Sequence, residues 1–526
     1  MMMAISVALM ARGDSWLTAQ TRRVIDGSRC TAFDNTTLFV PDSSGHYTAQ
    51  YTRDFCYALS STDSAIWDQG EATSAMNYTF SRQREDGCMP DKVTADNRTG
   101  YAPGPVDSPM TDHAWDNGAF AALMLADASA KWKSKDVFCE LEPRARRALA
   151  FINVTSVGLV YNDLASPNCS YGFTDNIAKT GYLLFTSLLL HDASVQMSRW
   201  SQTFGCGDAA WYARRADAVA AALDATFYDE HSGLWLAATV DNRLPDIWGS
   251  LYVVALQLST PDRRSRAMRI LVGSKNTTST PITCSCCDDQ PARRGVFAFG
   301  QVRHLPSGCF WGRCIMGACP KRGTYQNGAF WATPLIYLAR AAVAENGGEF
   351  VASAAEIVAE AVRFFREGLK GFMKPPAINE AINPSISYAG AVDYVASAAN
   401  ALRAVHLLNL EGTLGRSAAD PAGRHTGAAM PSAPSATLLD APPAELNWTN
   451  PHGGPLNDAG FDPLMRFAPP TSPPPPKPCT VSLGGLVRGS SSSPFSYSVH
   501  EGFLSAGGDL AVVNVTSVQE ALLRPC

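Results

Sequence analysis

Between Tyr47 and Leu410 apolar residues recur at steps of three and four, with no sustained two-residue alternation between them. That spacing lines one face of a helix and leaves no long strand a face to bury. Val351, Ala355, Val358, Val362, Phe365 and Leu369 make one such stripe, Ala391, Val395, Ala398, Leu402 and Val405 a second, and Tyr212, Ala216, Val219, Leu223 and Phe227 a third. Further helices are expected over about 54–80, 117–130, 141–153, 177–192, 246–258, 262–272 and 328–344. Ten or more helices with short connections predict an all-α fold of stacked helical hairpins.

The connections hold what packing alone does not explain. They read Asp86-Gly87-Cys88-Met89-Pro90-Asp91, Asp112-His113-Ala114-Trp115-Asp116-Asn117-Gly118 and Tyr171-Gly172-Phe173-Thr174-Asp175-Asn176. Asp246-Ile247-Trp248-Gly249-Ser250, Thr324-Tyr325-Gln326-Asn327-Gly328-Ala329-Phe330-Trp331 and Ile378-Asn379-Glu380-Ala381-Ile382-Asn383-Pro384 follow. A helix N-cap accounts for one Asp or Asn in such a place. It does not account for the aromatic neighbours. Aromatic faces beside carboxylates and amides suit a pyranose, which offers an apolar face and a rim of hydroxyls. Ahead of them stands Tyr51-Thr52-Arg53-Asp54-Phe55, a charged pair inside an apolar run. Its members either satisfy each other as a structural ion pair or grip two neighbouring hydroxyls of a ligand.

Charge and cysteine content narrow the partners and the compartment. Against 43 Lys and Arg stand 48 Asp and Glu, with no basic cluster, which argues against nucleic acid. No run of 18 apolar residues suggests a membrane span. The apolar start, Met1–Met10, lacks a basic region and reads as the remnant of a signal peptide or a misplaced start. Fourteen cysteines accompany Asn-x-Ser/Thr acceptors at Asn35, Asn77, Asn97, Asn153, Asn168, Asn276, Asn447 and Asn514, a combination that predicts a disulfide-bonded glycoprotein of the secretory route, extracellular or in a vacuolar or lysosomal lumen. Cys284, Cys286, Cys287, Cys309, Cys314 and Cys319, with His304 between the groups, fit no standard zinc spacing, so disulfides are expected and no metal or cofactor. Residues 1–44 read as an irregular lead-in, 45–412 as the helical domain, and 413–478 as a Pro/Ala/Ser-rich linker ending in a proline run. A short segment of unassigned role covers 479–526.

In this order the motifs resemble those of the six-hairpin, or (α/α)6-barrel, glycoside hydrolases, closest to the glucoamylase type. Tyr51-Thr52-Arg53-Asp54 is similar to the aromatic-Thr-Arg-Asp stretch after that family's first helix, and Asp116-Asn117-Gly118 to the element opening its third. Phe173-Thr174-Asp175-Asn176 resembles the loop that ends in the general acid, and Tyr325-Gln326-Asn327-Gly328-Ala329-Phe330-Trp331 a late Tyr-x-Asn-Gly-x-x-Trp element. Glu380 stands where an acidic residue precedes the last barrel helix. The resemblance covers about 45–410 and implies an (α/α)6 toroid that hydrolyses glycosides. It departs in having a lone Asp175 where the family's loop carries Glu pairs, and in replacing part of the substrate-side Trp set.

Inverting hydrolysis needs a protonated carboxyl beside the leaving oxygen and a carboxylate holding water opposite, about 6.5–9.5 Å apart. Asp175, between Phe173 and Asn176, suits the acid and Glu380, flanked by Asn379 and Asn383, is expected to stay ionised as base, with Asp116 the rival for the acid role. The bland alternative makes Asp175 a helix cap and Glu380 a surface charge. Substrate contacts are expected from Tyr51, Arg53, Asp54, Asp91, Trp115, Asp116, Asn117, Trp248, Tyr325, Asn327 and Trp331. The reading is thus an exo-acting, inverting hydrolase, a monomer acting on an oligo- or polysaccharide. A phosphorylase on the same barrel, or a barrel that only binds glycans, are the alternatives.

Overall fold

A computed structural model describes residues 16–108, 110–273, 282, 295–345 and 348–414. Helices alternate in character along the chain. The first, third, fifth and later odd-numbered ones are α1 (16–27), α3 (Gln69–Ser81), α5 (Lys135–Phe151), α7 (Ala209–Phe227), α9 (Pro261–Val272) and α11 (Gly348–Glu367). Between them lie α2 (Thr52–Ser61), α4 (Asn117–Trp132), α6 (Leu184–Phe204), α8 (Ile247–Leu256), α10 (Leu335–Ala344) and α12 (Val395–Leu414).

The even set is enclosed on nearly every side. Ala119 to Ala126 of α4 are all buried, as are Ile247 to Val254 of α8 and nine residues of α2. A helix apolar all round belongs inside a layer of others. The odd set buries one stripe, as in α7, where Tyr212, Ala216, Val219, Leu223 and Phe227 face inward. Packing follows the same order: α2 on α4, α4 on α6, α6 on α8 and α8 on α10, while α4–α5, α6–α7, α8–α9 and α10–α11 form hairpins. α12 joins the even set through Asn400, which accepts from Ser61 Oγ at 2.5 Å and donates to Thr333 O at 2.7 Å.

Several expectations shift in detail. The helix expected over 54–80 is two, because the chain turns at Thr62–Asp68 and Asp68 caps α3 through Glu71 N. In α11 the buried stripe runs through Phe350, Ala354, Ile357, Ala361 and Phe365, leaving Val351 and Ala355 half-buried. The lead-in holds a helix with Leu17, Val24 and Ile25 fully buried, so apolar residues there join the common core. Residues 415–526, and with them most of the expected linker and the final segment, lie outside the described residues, as do Cys284, Cys286 and Cys287.

Short antiparallel strands organise the connections. Ala49–Tyr51 pairs with Lys92–Thr94, which pairs with Thr99–Gly100. A second sheet runs Phe297–Ala298, Gln301–Arg303, Phe330–Trp331, Ala381–Asn383, Tyr388–Ala389. Cys139–Cys206 and Cys314–Cys319 are disulfides, and Cys309 is also disulfide-bonded, so these sulfurs are spent on bonds. No helix among the described residues is long and apolar enough to cross a membrane.

Candidate functional site

The first small sheet places Arg53. Thr52 N donates to Asp91 O at 2.9 Å and Thr52 Oγ1 to Pro90 O at 2.7 Å, which fixes the start of α2 beside Asp91. The Arg53 guanidinium, 3% exposed, then donates from Nη2 to Asp91 and from Nε to Asp116 Oδ2 at 3.2 Å. Asn117 Oδ1 lies 3.4 Å from Nη2. Asp116 does not cap α4 with its side chain; it accepts from Gly172 N at 2.9 Å and so ties the 171–176 loop to Arg53. Gly172 is required there, since a Cβ would sit 1.8 Å from Arg53 Cζ. Burial works to lower the Arg53 pKa, but Asp91, Asp116 and Asp54 hold it well above its ordinary value. Burial raises Asp116, against the pull of Arg53 and the Gly172 amide.

The second sheet places Glu380. Its N–H donates to Ala391 O at 2.8 Å, and its carboxyl turns inward beside Tyr47, whose hydroxyl donates to Oε1 at 2.8 Å. Ala391 N approaches Oε2 at 3.4 Å, and Tyr325 hydrogen-bonds the same carboxyl. Burial pushes Glu380 up to about 8, opposed by the Tyr47 hydroxyl and reinforced by the charge of Asp54. The expectation of an ionised Glu380 among amides is therefore corrected. Asn379 Nδ2 bonds Gly390 O and Asn383 Nδ2 bonds Gly323 O, so the amides serve the backbone and phenols face the carboxyl.

Asp54 and Asp175 complete the set. Burial raises Asp54 to about 7, against Arg53 and a hydrogen bond from the Tyr394 hydroxyl. Burial likewise raises Asp175, against hydrogen bonds from the Gln326 side chain and from Asn176 N at 2.6 Å. Asp175 follows the 3-10 turn Gly172–Thr174 as its C-cap residue rather than opening a helix as an N-cap. Burial first, then Glu380, Asp175, Tyr388 and Asp54, drive the pKa of the Tyr325 phenol well above its usual value. Its backbone sits at φ 35°, an unusual conformation for a non-glycine, tied through its carbonyl to Trp331 Nε1 at 3.3 Å and to Ala329 N at 3.1 Å.

The remaining sequence candidates divide. Phe173, Trp248 and Trp331 form one aromatic wall, with centroids 5.6 Å apart for Phe173–Trp331 and 5.7 Å for Trp248–Trp331. Tyr51 packs edge-on to Tyr47, under the Lys92 ammonium. Trp115 is wedged between His113 and Phe151 with Nε1 bonded to Asn162, a packing role. Asn117 spends its amide on Met89 O and Tyr101 O, and Asn327 spends its on Pro320 O and Trp311. Tyr47, Gln326 and Tyr394 were not singled out by the sequence. Each is a single polar aromatic or amide in a run of many, and only tertiary contact marks it.

Among solved structures the chain is similar to a GH63 mannosylglycerate hydrolase from Thermus thermophilus in complex with glucose, at 14% identity, TM-score 0.50, over 74% of this chain and 99% of that one. It also matches a rhamnosidase from Klebsiella oxytoca with rhamnose bound, at 13% identity and TM-score 0.45, over 69% of this chain and only 58% of the rhamnosidase. No family model and no curated protein sequence matches. The first likeness is one of fold.

Proposed function

We propose that the chain is an (α/α)6-toroid glycoside hydrolase that releases a terminal sugar with inversion at the anomeric carbon. The observation that supports this best is that Asp175 and Glu380, from loops more than 200 residues apart in sequence, are both buried and both act electrostatically on the Tyr325 phenol. Asp175, whose pKa burial raises, gives its proton to the leaving oxygen. Glu380, once ionised, draws a proton from water on the other side of the sugar. Asp54 and the Nη1 edge of Arg53, which the Asp91 and Asp116 contacts leave over, receive the hydroxyls of the terminal residue, and the aromatic wall takes its apolar face. We place the protein in the secretory route, supported by its disulfides and by exposed glycan acceptors at Asn35, Asn97 and Asn153.

One observation favours exchanged roles: Glu380, at about 8, is the carboxyl that holds a proton at neutral pH. Activated leaving groups decide, because they need little protonation. Asp175→Asn should lose about 10²–10⁴-fold on natural glycosides yet keep most activity on a glycosyl fluoride, while Glu380→Gln fails on both. The reverse pattern exchanges the roles. NMR of the first-formed product should show the inverted anomer; retention would mean a covalent intermediate and sink the mechanism.

A further inference from the structure

Asn176, the residue after Asp175, ties that carboxyl to a distant segment. Its N–H donates to Asp175 Oδ1 at 2.6 Å. Its other three polar atoms all go to the segment between Cys314 and Cys319. The carbonyl accepts from Ile315 N at 2.8 Å, Oδ1 accepts from Met316 N at 2.9 Å, and Nδ2 donates to Ala318 O at 2.9 Å. The carboxamide thus pairs with backbone as a neighbouring strand would, oxygen to N–H and N–H to oxygen. The two segments stay side by side beyond it, through an antiparallel bridge of Ile177 with Cys314 and a bond from Ala178 N to Arg313 O at 3.1 Å.

The 314–319 segment contains no helix or strand. Gly317 N bonds Cys314 O at 3.3 Å and Ala318 N bonds Met316 O at 3.0 Å, turns that by themselves leave its two ends free to part. The Cys314–Cys319 disulfide closes it into a ring, which removes those conformations and keeps Met316 N and Ala318 O set to bracket one carboxamide. Beneath it Cys314 joins Ile177, Leu305, Cys309 and Trp311 in a small apolar cluster separate from the main core, with Cys319 packed against it. Met316, in the middle of the ring, is exposed. The ring therefore stands on the apolar cluster and grips Asn176 through hydrogen bonds.

We propose that Asn176 is a positioning residue for proton transfer from Asp175, and that the disulfide-closed 314–319 ring is the clamp that sets it. The proposal rests on the reading of Asp175 as the proton donor. A donor must be aimed at the leaving oxygen, and a displacement of about 1 Å can cost about a hundredfold in rate. Release of the clamp lets the 175–176 peptide turn and takes the carboxyl off that line.

Three variants of the full chain test it: Asn176→Ala, the pair Cys314→Ala with Cys319→Ala, and all three changes together. Each is assayed on the phenyl glycoside and on the glycosyl fluoride of the sugar that the unaltered chain releases. On the phenyl glycoside each should lose about tenfold or more in kcat, and on the fluoride, which needs little protonation, no more than about threefold. The triple variant should be no slower than the slower of the other two, because a carboxamide without its clamp has nothing left to lose. In Asn176→Ala the Met316 amide, stripped of its acceptor, should also exchange with solvent at least about tenfold faster. Unaltered rates in Asn176→Ala overturn the proposal, as do equal losses on both substrates or unaltered exchange at Met316. That variant keeps every cysteine, so these outcomes stand even where the cysteine variants do not fold. Losses that multiply in the triple variant overturn it too, because they make ring and carboxamide independent supports. Asp175→Asn separates the layers. If it loses only the phenyl glycoside while Asn176→Ala loses nothing, the donor stands and the clamp falls. If Asp175→Asn loses both substrates equally or neither, Asp175 is not the donor and both fall.

Discussion

Arg53 and Glu380 are buried almost equally deeply, yet their surroundings treat charge in opposite ways. Around Arg53 two carboxylates answer one guanidinium, and the Gly172 amide answers one of the carboxylates. Around Glu380 and Asp54 the partners are phenols of Tyr47, Tyr325 and Tyr394, which donate hydrogen bonds but carry no charge. The first arrangement fixes three segments, α2, the 91 loop and the 171–176 loop, in one geometry. The second leaves two carboxyls poised near 8 and 7, where a proton can be held or given up. Full compensation builds the scaffold, and partial compensation leaves the chemistry available.

The largest effect should come from breaking the compensated side. Arg53→Met strands Asp91 and Asp116 in a buried site, and removing one partner of a buried ion pair costs about 3–5 kcal/mol. Urea unfolding should show that loss, with activity abolished as a consequence. Glu380→Gln should instead unfold at the same or higher urea concentration at pH 8, because the amide needs no ionisation. If both variants were equally unstable, the contrast between the two regions would collapse.

The next effect is pH. Glu380 and Asp54 have ordinary values of 4.5 and 3.8 and are raised by burial to about 8 and 7. In the window between, the folded chain holds protons that the unfolded chain has released. Their contribution is therefore complete below about pH 4 and is lost as pH rises through 7 to 8, at up to about 1.4 kcal/mol per pH unit for each group. Differential unfolding between pH 5 and 8 should show the wild type losing stability relative to Asp54→Asn and Glu380→Gln. Parallel curves would mean that the carboxyls are already ionised in the folded chain.

These contrasts explain which parts of the molecule were readable from sequence. Helices announce themselves because burial of a stripe imposes a period, as Tyr212 to Phe227 shows residue by residue. Arg53, Asp54, Asp175 and Glu380 stood out because charge inside an apolar run needs a partner. Which partner was not readable. Arg53 and its neighbour Asp54 engage different groups, Asp91 and Asp116 on one side and Tyr394 on the other, because successive side chains on a helix diverge. Trp115 and Asn327 carried the same composition signal as Trp248 and Tyr325, yet serve packing and a loop tether. Composition of a loop reports what can bind; only the fold reports which side chains are already spent.

The smallest effect is the most discriminating. Tyr47 Oη donates to Glu380 Oε1 at 2.8 Å, and this bond favours the ionised carboxyl. Tyr47→Phe removes it while keeping the ring against Tyr51 and Tyr394, so the fold should change little. A hydrogen bond to a charged group is worth about 1.5 kcal/mol, which corresponds to a Glu380 pKa about one unit higher. If Glu380 is the base, the rising limb of the kcat/KM profile moves to higher pH and the falling limb stays. If Glu380 is the acid, the falling limb moves instead and activity extends further into alkali. A profile that moves in neither limb would place Glu380 outside the proton transfers and return the search for the second carboxyl to Asp54 and Asp116.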